Sequence, residues 1–211
     1  MTDNAEAVIL IHGLWMHGVV FLPHHLWLEA EGFTVHRFSY PSWSQDLESN
    51  ADRLATVVGQ TPGTRIHLVG HSLGGLLALA MLEKHKAPRI GRIVLMGSPC
   101  AGCHCGSYLA DRWALSPFLG SSMKDWLARP RPTQPESLDV GIIAGTRRWG
   151  LGRVIPGLPR PNDGVVAAEE TCLPGARDRI LLPVSHSGML ISPACARQVA
   201  SFLRTGHFIH A

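Results

Sequence analysis

Six short runs of apolar residues recur along the chain, and segments with helical periodicity lie between them. The runs are apolar at successive positions rather than at alternate ones, which is typical of strands buried on both faces of a parallel sheet. Strands that alternate with helices predict an α/β fold, with a mainly parallel sheet of about six strands and helices on both faces. The five strongest runs span residues 7–11, 66–69, 90–96, 140–144 and 179–182, and a more polar run at 33–38 is expected nearer an edge.

Helical patterns lie between these runs and after the last of them. Apolar residues recur every three or four positions over 47–58, and 74–86 is apolar nearly all round, which indicates a buried helix. Ser192 followed by a proline predicts the start of a final helix, and Gly206 predicts its end. The irregular stretches 97–135 and 147–162 are expected to be binding loops or, at most, a small cap.

The composition fits one domain over residues 1–211 and argues against several classes of protein. Hydrophobic residues make up 45% of the chain and charged residues 17%, so a sizeable core can be buried. The net charge is +3 and the basic residues are scattered, so no nucleic-acid partner is expected. No apolar run approaches the roughly 20 residues of a membrane helix, so no integral membrane segment is predicted. An acidic start without a basic region and five cysteines, an odd number, favour the reducing cytoplasm.

Ser72 lies between two glycines where a predicted strand ends and a helix begins. Residues 70–74 read GHSLG and match G-x-S-x-G, the pattern of a nucleophile elbow, in which a tight turn lifts a serine hydroxyl clear of the sheet. Side chains at Gly70 and Gly74 are expected to collide across that turn. Ser72 is therefore the candidate nucleophile, and the alternative is a glycine-rich turn that binds nothing.

His186 is the candidate base, which a serine hydroxyl needs in order to be an effective nucleophile. It follows the last predicted strand, at the end of the sheet where sites form, and it comes after the serine and the acid, the chain order that accompanies this elbow. His85 lies at the far end of a helix, and His207 and His210 lie in the C-terminal tail, where disorder is expected.

Asp163 is the candidate acid that orients the histidine and stabilises its charged form. It is the first carboxylate after the predicted strand 140–144. Asp139 opens that strand and lies at the wrong end of the sheet, whereas Asp111 and Asp125 follow the previous strand. The alternative for Asp163 is that Asn-Asp-Gly serves only as a turn.

Two backbone N–H groups are predicted to stabilise the oxyanion that forms when a carbonyl is attacked. One belongs to Leu14, in the loop after the first strand, and the other to Leu73, directly after the nucleophile. The neighbouring side chains of Trp15 and Met16, with Met189 from the histidine loop, are predicted to line an apolar substrate pocket.

The segments VILIHGLWM, HLVGHSLGG, MGSP, NDGVV and VSHSGM together resemble the α/β-hydrolase superfamily. More narrowly, they resemble its small bacterial lipase-like and esterase-like members, which lack a large cap. The resemblance covers most of the chain. It implies that Ser72, Asp163 and His186 form a catalytic triad, that Leu14 and Leu73 supply the oxyanion donors, and that no cofactor is needed.

Three thiols crowd into residues 100–105, CAGCHC, a spacing that also suggests a metal site. Structural zinc sites usually take four ligands in two separated pairs, and here Cys172 and Cys195 are single and distant. We therefore expect no metal, and interpret the cluster as small residues on a loop near the mouth of the active site.

These residues predict a serine hydrolase that acts on carboxylic esters. The expected partner is a small-molecule ester substrate with an apolar acyl group. An acyltransferase or a thioesterase would use the same residues, and differs in the substrate or in the molecule that resolves the acyl-enzyme. A non-catalytic binding protein on the same fold is a further alternative, because fold alone does not determine function.

Overall fold

The computed structural model describes residues 6–135, 138–150 and 154–210. Six parallel strands form one sheet, as the sequence predicts, and their order in the sheet is β2-β1-β3-β4-β5-β6. The more polar run becomes β2, which lies at an edge, and β6 forms the opposite edge. The strands are β1 (Glu6–Ile11), β2 (Thr34–Phe38), β3 (Arg65–His71), β4 (Ile90–Met96), β5 (Asp139–Gly145) and β6 (Asp178–Leu182).

Helices cover both faces of the sheet. Alternate residues of β1 enter two separate cores, with Ile9 and Ile11 in the core that contains α2 and α3, and Val8 and Leu10 in the core that contains α1 and α6. The sheet is therefore buried on both sides, which explains why its strands are continuously apolar. The helices are α1 (Leu22–Ala30), α2 (Leu47–Gln60), α3 (Leu73–Lys84), α4 (His104–Ala110), α5 (Gly120–Ala128) and α6 (Pro193–Thr205).

Local capping explains where two of the helices begin. The Asp46 side chain accepts a hydrogen bond from the Ser49 N–H at the start of α2. Ser192 accepts one from the Cys195 N–H at the start of α6, and Gly206 ends that helix with a left-handed φ of 77°.

The stretch 97–135 is more ordered than the sequence predicts, because it contains α4 and α5 joined by the 3-10 turn Ser116–Leu119. Both helices are short: α4 has 7 residues and α5 has 9. Pro130 lies directly after the C-cap residue of α5, where the helix could not continue. They cover the carboxyl end of the sheet without forming a large cap. Among the described residues, no helix has the length and apolar character that crossing a membrane requires.

The order of the strands places a crevice between β1 and β3. The chain moves from β1 outward to β2, then returns to the other side of β1 and continues from β3 to β6. Ligand sites in parallel sheets form at such a reversal, beyond the carboxyl ends of the two strands. The loops after β1 and β3, which carry Leu14 and Ser72, meet at this position.

Candidate active site

Ser72 occupies a strained turn between β3 and α3, with φ of 54° and ψ of −123°. Residues with a side chain rarely adopt this backbone conformation, which costs of order 1–3 kcal/mol. A Cβ atom at Gly70 would lie 2.4 Å from the Gly75 backbone, so glycine is required where the strand meets the helix. The same Cβ would lie 2.6 Å from the Gly74 carbonyl carbon, so residues 70 and 74 do crowd each other across the turn. A Cβ at Gly74 would in addition lie 2.1 Å from the Ile11 carbonyl oxygen of β1.

The loop after β1 is held by His12, which is completely buried. Its Nδ1 lies 2.8 Å from the Gly13 carbonyl oxygen, and its Nε2 accepts a hydrogen bond from the Tyr40 N–H, so Nδ1 carries the proton. The Tyr40 hydroxyl also donates to the His12 carbonyl oxygen. Neither Leu14 nor Leu73 donates its backbone N–H to any acceptor in the described ranges, which leaves both groups available to a ligand.

His186 and Asp163 form a buried pair. His186 lies shortly after β6, and Asp163 lies in the long connection between β5 and β6. His186 Nδ1 lies 2.7 Å from Asp163 Oδ2, and the two side chains are 8% and 1% exposed. The His186 N–H also donates to the Asp163 carbonyl oxygen at 2.9 Å. The pair is thus joined through both its side chains and its backbone.

The loop that carries Asp163 orients its carboxylate independently of the imidazole. Its Oδ1 accepts hydrogen bonds from the N–H groups of Val165 and Val166, at 2.9 and 2.8 Å. Gly97, after β4, approaches the pair so closely that a Cβ there would lie 3.1 Å from both Asp163 Oδ2 and His186 Nδ1. The Gly97 φ of 59° adds a second requirement for glycine.

Ser72 and His186 line the same pocket, although the hydrogen bonds in the described part of the chain do not include one between their side chains. Catalytic hydrogen bonds are often long in the unliganded state and shorten when substrate binds. The structure also places Asp111 on the surface, at the C-terminal end of α4, away from His186. Of the candidate carboxylates, Asp163 is the one that contacts the histidine.

The pocket above Ser72 has a volume of about 290 Å³ and a largely apolar lining. Trp15 and Met16, which the sequence places in the loop after β1, form one side together with Leu14. None of the described residues in the lining is Asp, Glu, Lys or Arg. Residues from α4, α5 and the acid loop complete the wall: Cys103, Cys105, Gly106, Leu109, Leu119, Met123, Val165 and Val166.

Met189 does not line this pocket, contrary to the sequence-based expectation. It is 0% exposed and packs in the core beneath, because the segment after His186 turns into the 3-10 helix Ser187–Ile191. Of the two tryptophans in the stretch 97–135, Trp126 is buried in the core and Trp113 is 91% exposed, and neither lines the pocket.

Glu170 joins the wall of the pocket to the loop that carries Asp163. One of its carboxylate oxygens accepts the His104 N–H at the start of α4, and the other accepts the Ala167 N–H at 2.7 Å. Burial is the main reason why the pKa of Glu170 is raised. The carboxylate therefore holds α4 over the site by replacing solvent with two backbone donors.

The cysteines near the pocket behave as small buried residues. Cys103 caps the start of α4, where its Sγ accepts the Gly106 N–H, and burial raises the pKa of Cys105 to about 12. His104 points its Nε2 at the Pro156 carbonyl oxygen, 2.8 Å away. In the described ranges, no three His, Cys, Asp or Glu side chains converge on a position that could hold a metal ion.

Sequence reasoning missed Gly97, Val166 and the α4 residues, although MGSP and NDGVV had been singled out as segments. The left-handed glycine and the loop donors act on partners that are distant in sequence. Only the order of the strands, β4 beside β5 and β5 beside β6, brings them together.

Comparisons with known proteins give one family and several related folds. A model of the alpha/beta hydrolase family matches residues 8–210. The lipase BlEst2 of Bacillus licheniformis, in its mature form, superposes with a TM-score of 0.74 at 19% identity, over 99% of this chain and 94% of the lipase chain. A pyrethroid hydrolase from Sphingobium faniae JZ-2 gives a TM-score of 0.69 at 16% identity, over 96% and 98% of the two chains.

A metagenomic carboxyl esterase, MGS0156, superposes with a TM-score of 0.68 at 17% identity, over 88% of this chain and 65% of the esterase. At these identities, the three structures show a shared fold. A comparison with curated proteins found no significant match.

Proposed function

The chain belongs to the alpha/beta hydrolase family, and on that premise we propose that it hydrolyses carboxylic esters through a serine nucleophile. The observation that carries the proposal is the 2.7 Å contact between His186 Nδ1 and Asp163 Oδ2, at the edge of a pocket that also holds Ser72 on a strained turn. A nucleophile, a base and a group that orients the base are the parts that this chemistry needs.

In the first step, Ser72 Oγ attacks the carbonyl carbon of the ester while His186 Nε2 takes the hydroxyl proton. Asp163 accepts a hydrogen bond from the proton on Nδ1, which keeps Nε2 free to act as the base. The tetrahedral intermediate then collapses, the bond to the alcohol oxygen breaks, and His186 returns its proton to that oxygen. The products are a free alcohol and an acyl group on Ser72.

The N–H groups of Leu14 and Leu73 are assigned to the negative oxygen of the tetrahedral intermediate. Leu73 is the first residue of α3, where the positive end of the helix dipole adds to the effect. Donors placed in advance at a developing charge contribute about 3–4 kcal/mol each in comparable sites. In the second step, water attacks the acyl group with His186 again as the base, and Ser72 is regenerated.

The lining of the pocket supports a small substrate with an uncharged, apolar acyl group. A charged acyl chain would lose its hydration without gaining an ion pair, since the described lining offers no Asp, Glu, Lys or Arg.

All five cysteines are free thiols, which agrees with our proposal that the protein works in the reducing cytoplasm.

The test is covalent labelling with a fluorophosphonate, which forms a bond from Oγ to phosphorus with loss of fluoride. We expect the intact protein to gain one label, located on Ser72 by peptide mass, and Ser72→Ala to gain none. Ser107→Ala is the matched control, because Ser107 is an exposed serine of α4 outside the pocket and its loss should leave labelling unchanged. Absence of labelling in the unaltered protein would instead favour the non-catalytic binding protein.

A second arm separates hydrolysis from acyl transfer and from thioester cleavage. p-Nitrophenyl esters and matched thioesters are compared by kcat/KM, and an added alcohol is examined for new ester product. We expect the free acid from the oxygen ester to dominate. Predominant transfer to the alcohol, or a clear preference for thioesters, would assign one of the alternative functions.

A further inference from the structure

Two fully buried histidines outside the proposed triad donate hydrogen bonds to the short segment 186–191. His71, the last residue of β3, has its Nε2 3.0 Å from the carbonyl oxygen of His186 itself. His24, in α1, has its Nε2 2.8 Å from the carbonyl oxygen of Met189. Both histidines are 0% exposed. The segment that carries His186 is thus held from the sheet and from a helix at once.

The partners fix the protonation of both rings. A carbonyl oxygen can only accept, so the Nε2 atoms of His71 and His24 must each carry a proton. The Nδ1 atom of each ring is buried and has no hydrogen-bond partner among the described residues, so a second proton there would have no acceptor. Burial holds the pKa values of both histidines below the ordinary value. For His71, the neighbouring His186 ring is the second cause. Each ring is therefore a neutral Nε2–H donor.

The contact with His71 completes the restraint on His186. The His186 N–H is bound by the Asp163 carbonyl oxygen, and its Nδ1 by the Asp163 carboxylate. The carbonyl group on the other side of its Cα is bound by His71, whose ring centre lies 4.6 Å from the His186 ring centre. This hydrogen bond restrains the peptide group directly after the Cα atom that carries the imidazole.

We propose that His71 and His24 are positioning residues, which hold His186 in reach of Ser72 by donating their Nε2–H groups to the backbone of its segment. The proposal rests on the proposed function. His71 directly precedes Ser72, so the strand that delivers the nucleophile also holds the loop that delivers the base. In this proposal, His71 helps to set the distance between Ser72 Oγ and His186 Nε2, because it is bonded to Ser72 in the chain and hydrogen-bonded to the backbone of His186.

The first test compares two replacements of His71 that differ in the donor. Glutamine places an N–H at the same reach along the side chain as Nε2, whereas leucine removes it. Because a misplacement of about 1 Å can cost on the order of 100-fold, His71→Leu should lower kcat and the rate of fluorophosphonate labelling by about 10- to 100-fold, with KM nearly unchanged. His71→Gln should recover most of both rates. His24→Leu should lose less than His71→Leu, because its carbonyl partner lies three residues further along.

The matched control is His67→Leu. His67 is also a fully buried histidine of β3, but it lies toward the amino end of the strand, where its Nδ1 accepts the Arg92 N–H. It should lower stability while leaving the labelling rate of the folded protein unchanged. Equal losses in His71→Leu and His71→Gln, or no loss in His71→Leu, would overturn the proposal.

A second measurement does not depend on activity or on the folding of variants. Nitrogen NMR of the unaltered protein, with labelled histidine, should show His71 and His24 as neutral rings with the proton on Nε2 at pH 7. A proton on Nδ1, or a charged ring, would contradict the proposal. Failure of the unaltered protein to react with fluorophosphonate would instead contradict the proposed function, so the two failures can be told apart.

Discussion

Asp163 contacts His186 at 2.7 Å through one carboxylate oxygen, while its other oxygen accepts two backbone N–H groups of its own loop. The Asp163 carboxylate is therefore fixed in position independently of its contact with His186. A carboxylate can fill this place because all three of its partners are donors.

Asp163→Asn should lower kcat for ester hydrolysis by about three to four orders of magnitude, while the fold persists. An amide group must turn an N–H toward either the imidazole or the loop donors, so one hydrogen bond is lost and the His186 tautomer is disturbed. Asp111→Asn is the control, because Asp111 is exposed on α4. Steady-state kinetics decides, and a larger loss in Asp111→Asn would move the acid to the loop after β4.

Gly97→Ala should reduce both kcat and stability, because the added Cβ would lie 3.1 Å from Asp163 Oδ2 and from His186 Nδ1. Gly32→Ala is the control for backbone strain alone. Gly32 has a comparable φ of 89°, with no atom within 4 Å of the added Cβ. Each variant should lose about 1 kcal/mol in urea unfolding, and only Gly97→Ala should lose activity. Equal activity in the two variants would show that the site tolerates the methyl group.

Each carbon added to the acyl chain of the ester should raise kcat/KM by about three- to fourfold until the pocket is full, because burying one methylene contributes about 0.8 kcal/mol of binding free energy. Met123→Ala should shift the end of this increase to longer chains, because Met123 lines the pocket. Met96→Ala is the control, since Met96 is buried in the core outside the lining. The measurement is kcat/KM over a series of p-nitrophenyl esters.

That series should be measured above and below the solubility limit of each ester. We expect no sharp rise when droplets form, because α4 and α5 are short and leave the pocket open. A sharp rise, with little activity on dissolved ester, would indicate a lid that opens at an oil surface.

The free energy of unfolding should fall as the pH is lowered from about 6.5 toward 4. Burial is the main cause that lowers the pKa values of His12, His24, His67 and His71, and it brings that of His67 to about 4. The unfolded chain binds these protons near pH 6.5 and the folded chain does not, so stability rises with pH across this window. Each group contributes at most ~1.4 kcal/mol per pH unit.

Urea unfolding between pH 4.5 and 7.5 measures this dependence. His67→Gln should reduce the slope by the share of one group, because its side chain does not titrate. A flat profile in the unaltered protein would show that the folded and unfolded chains bind the same number of protons in this range, which would contradict the lowering of these pKa values by burial.

The sheet could be predicted from the sequence because burial on both faces leaves a direct signal in each strand. All six strands, the edge position of β2 and the caps of α6 follow from local patterns. The helices α4 and α5 could not be predicted in this way. Cys103 is an unusual cap, and helices of 7 and 9 residues are too short to show a clear apolar periodicity in the sequence.

The candidate site was predictable where a residue type is tied to a place at the end of a strand, as for Ser72 and His186. Asp163 was chosen as the first carboxylate after β5, and the structure brings it to His186 despite the long connection. The contributions of His71 and Gly97 were not predictable, because each depends on a partner supplied by another strand. Met189 was misassigned because the segment after His186 forms a 3-10 helix in which Met189 packs into the core.

The strand β6 pairs only with β5, and its residues are mostly half-buried rather than buried. Such a strand can detach at a lower free-energy cost than the interior strands, which have a neighbour on each side. The proposed base, His186, follows this edge strand, whereas the proposed nucleophile, Ser72, follows the interior strand β3. We therefore expect mild heat or denaturant to release β6 while the rest of the sheet stays folded, so that loss of the proposed activity precedes loss of structure.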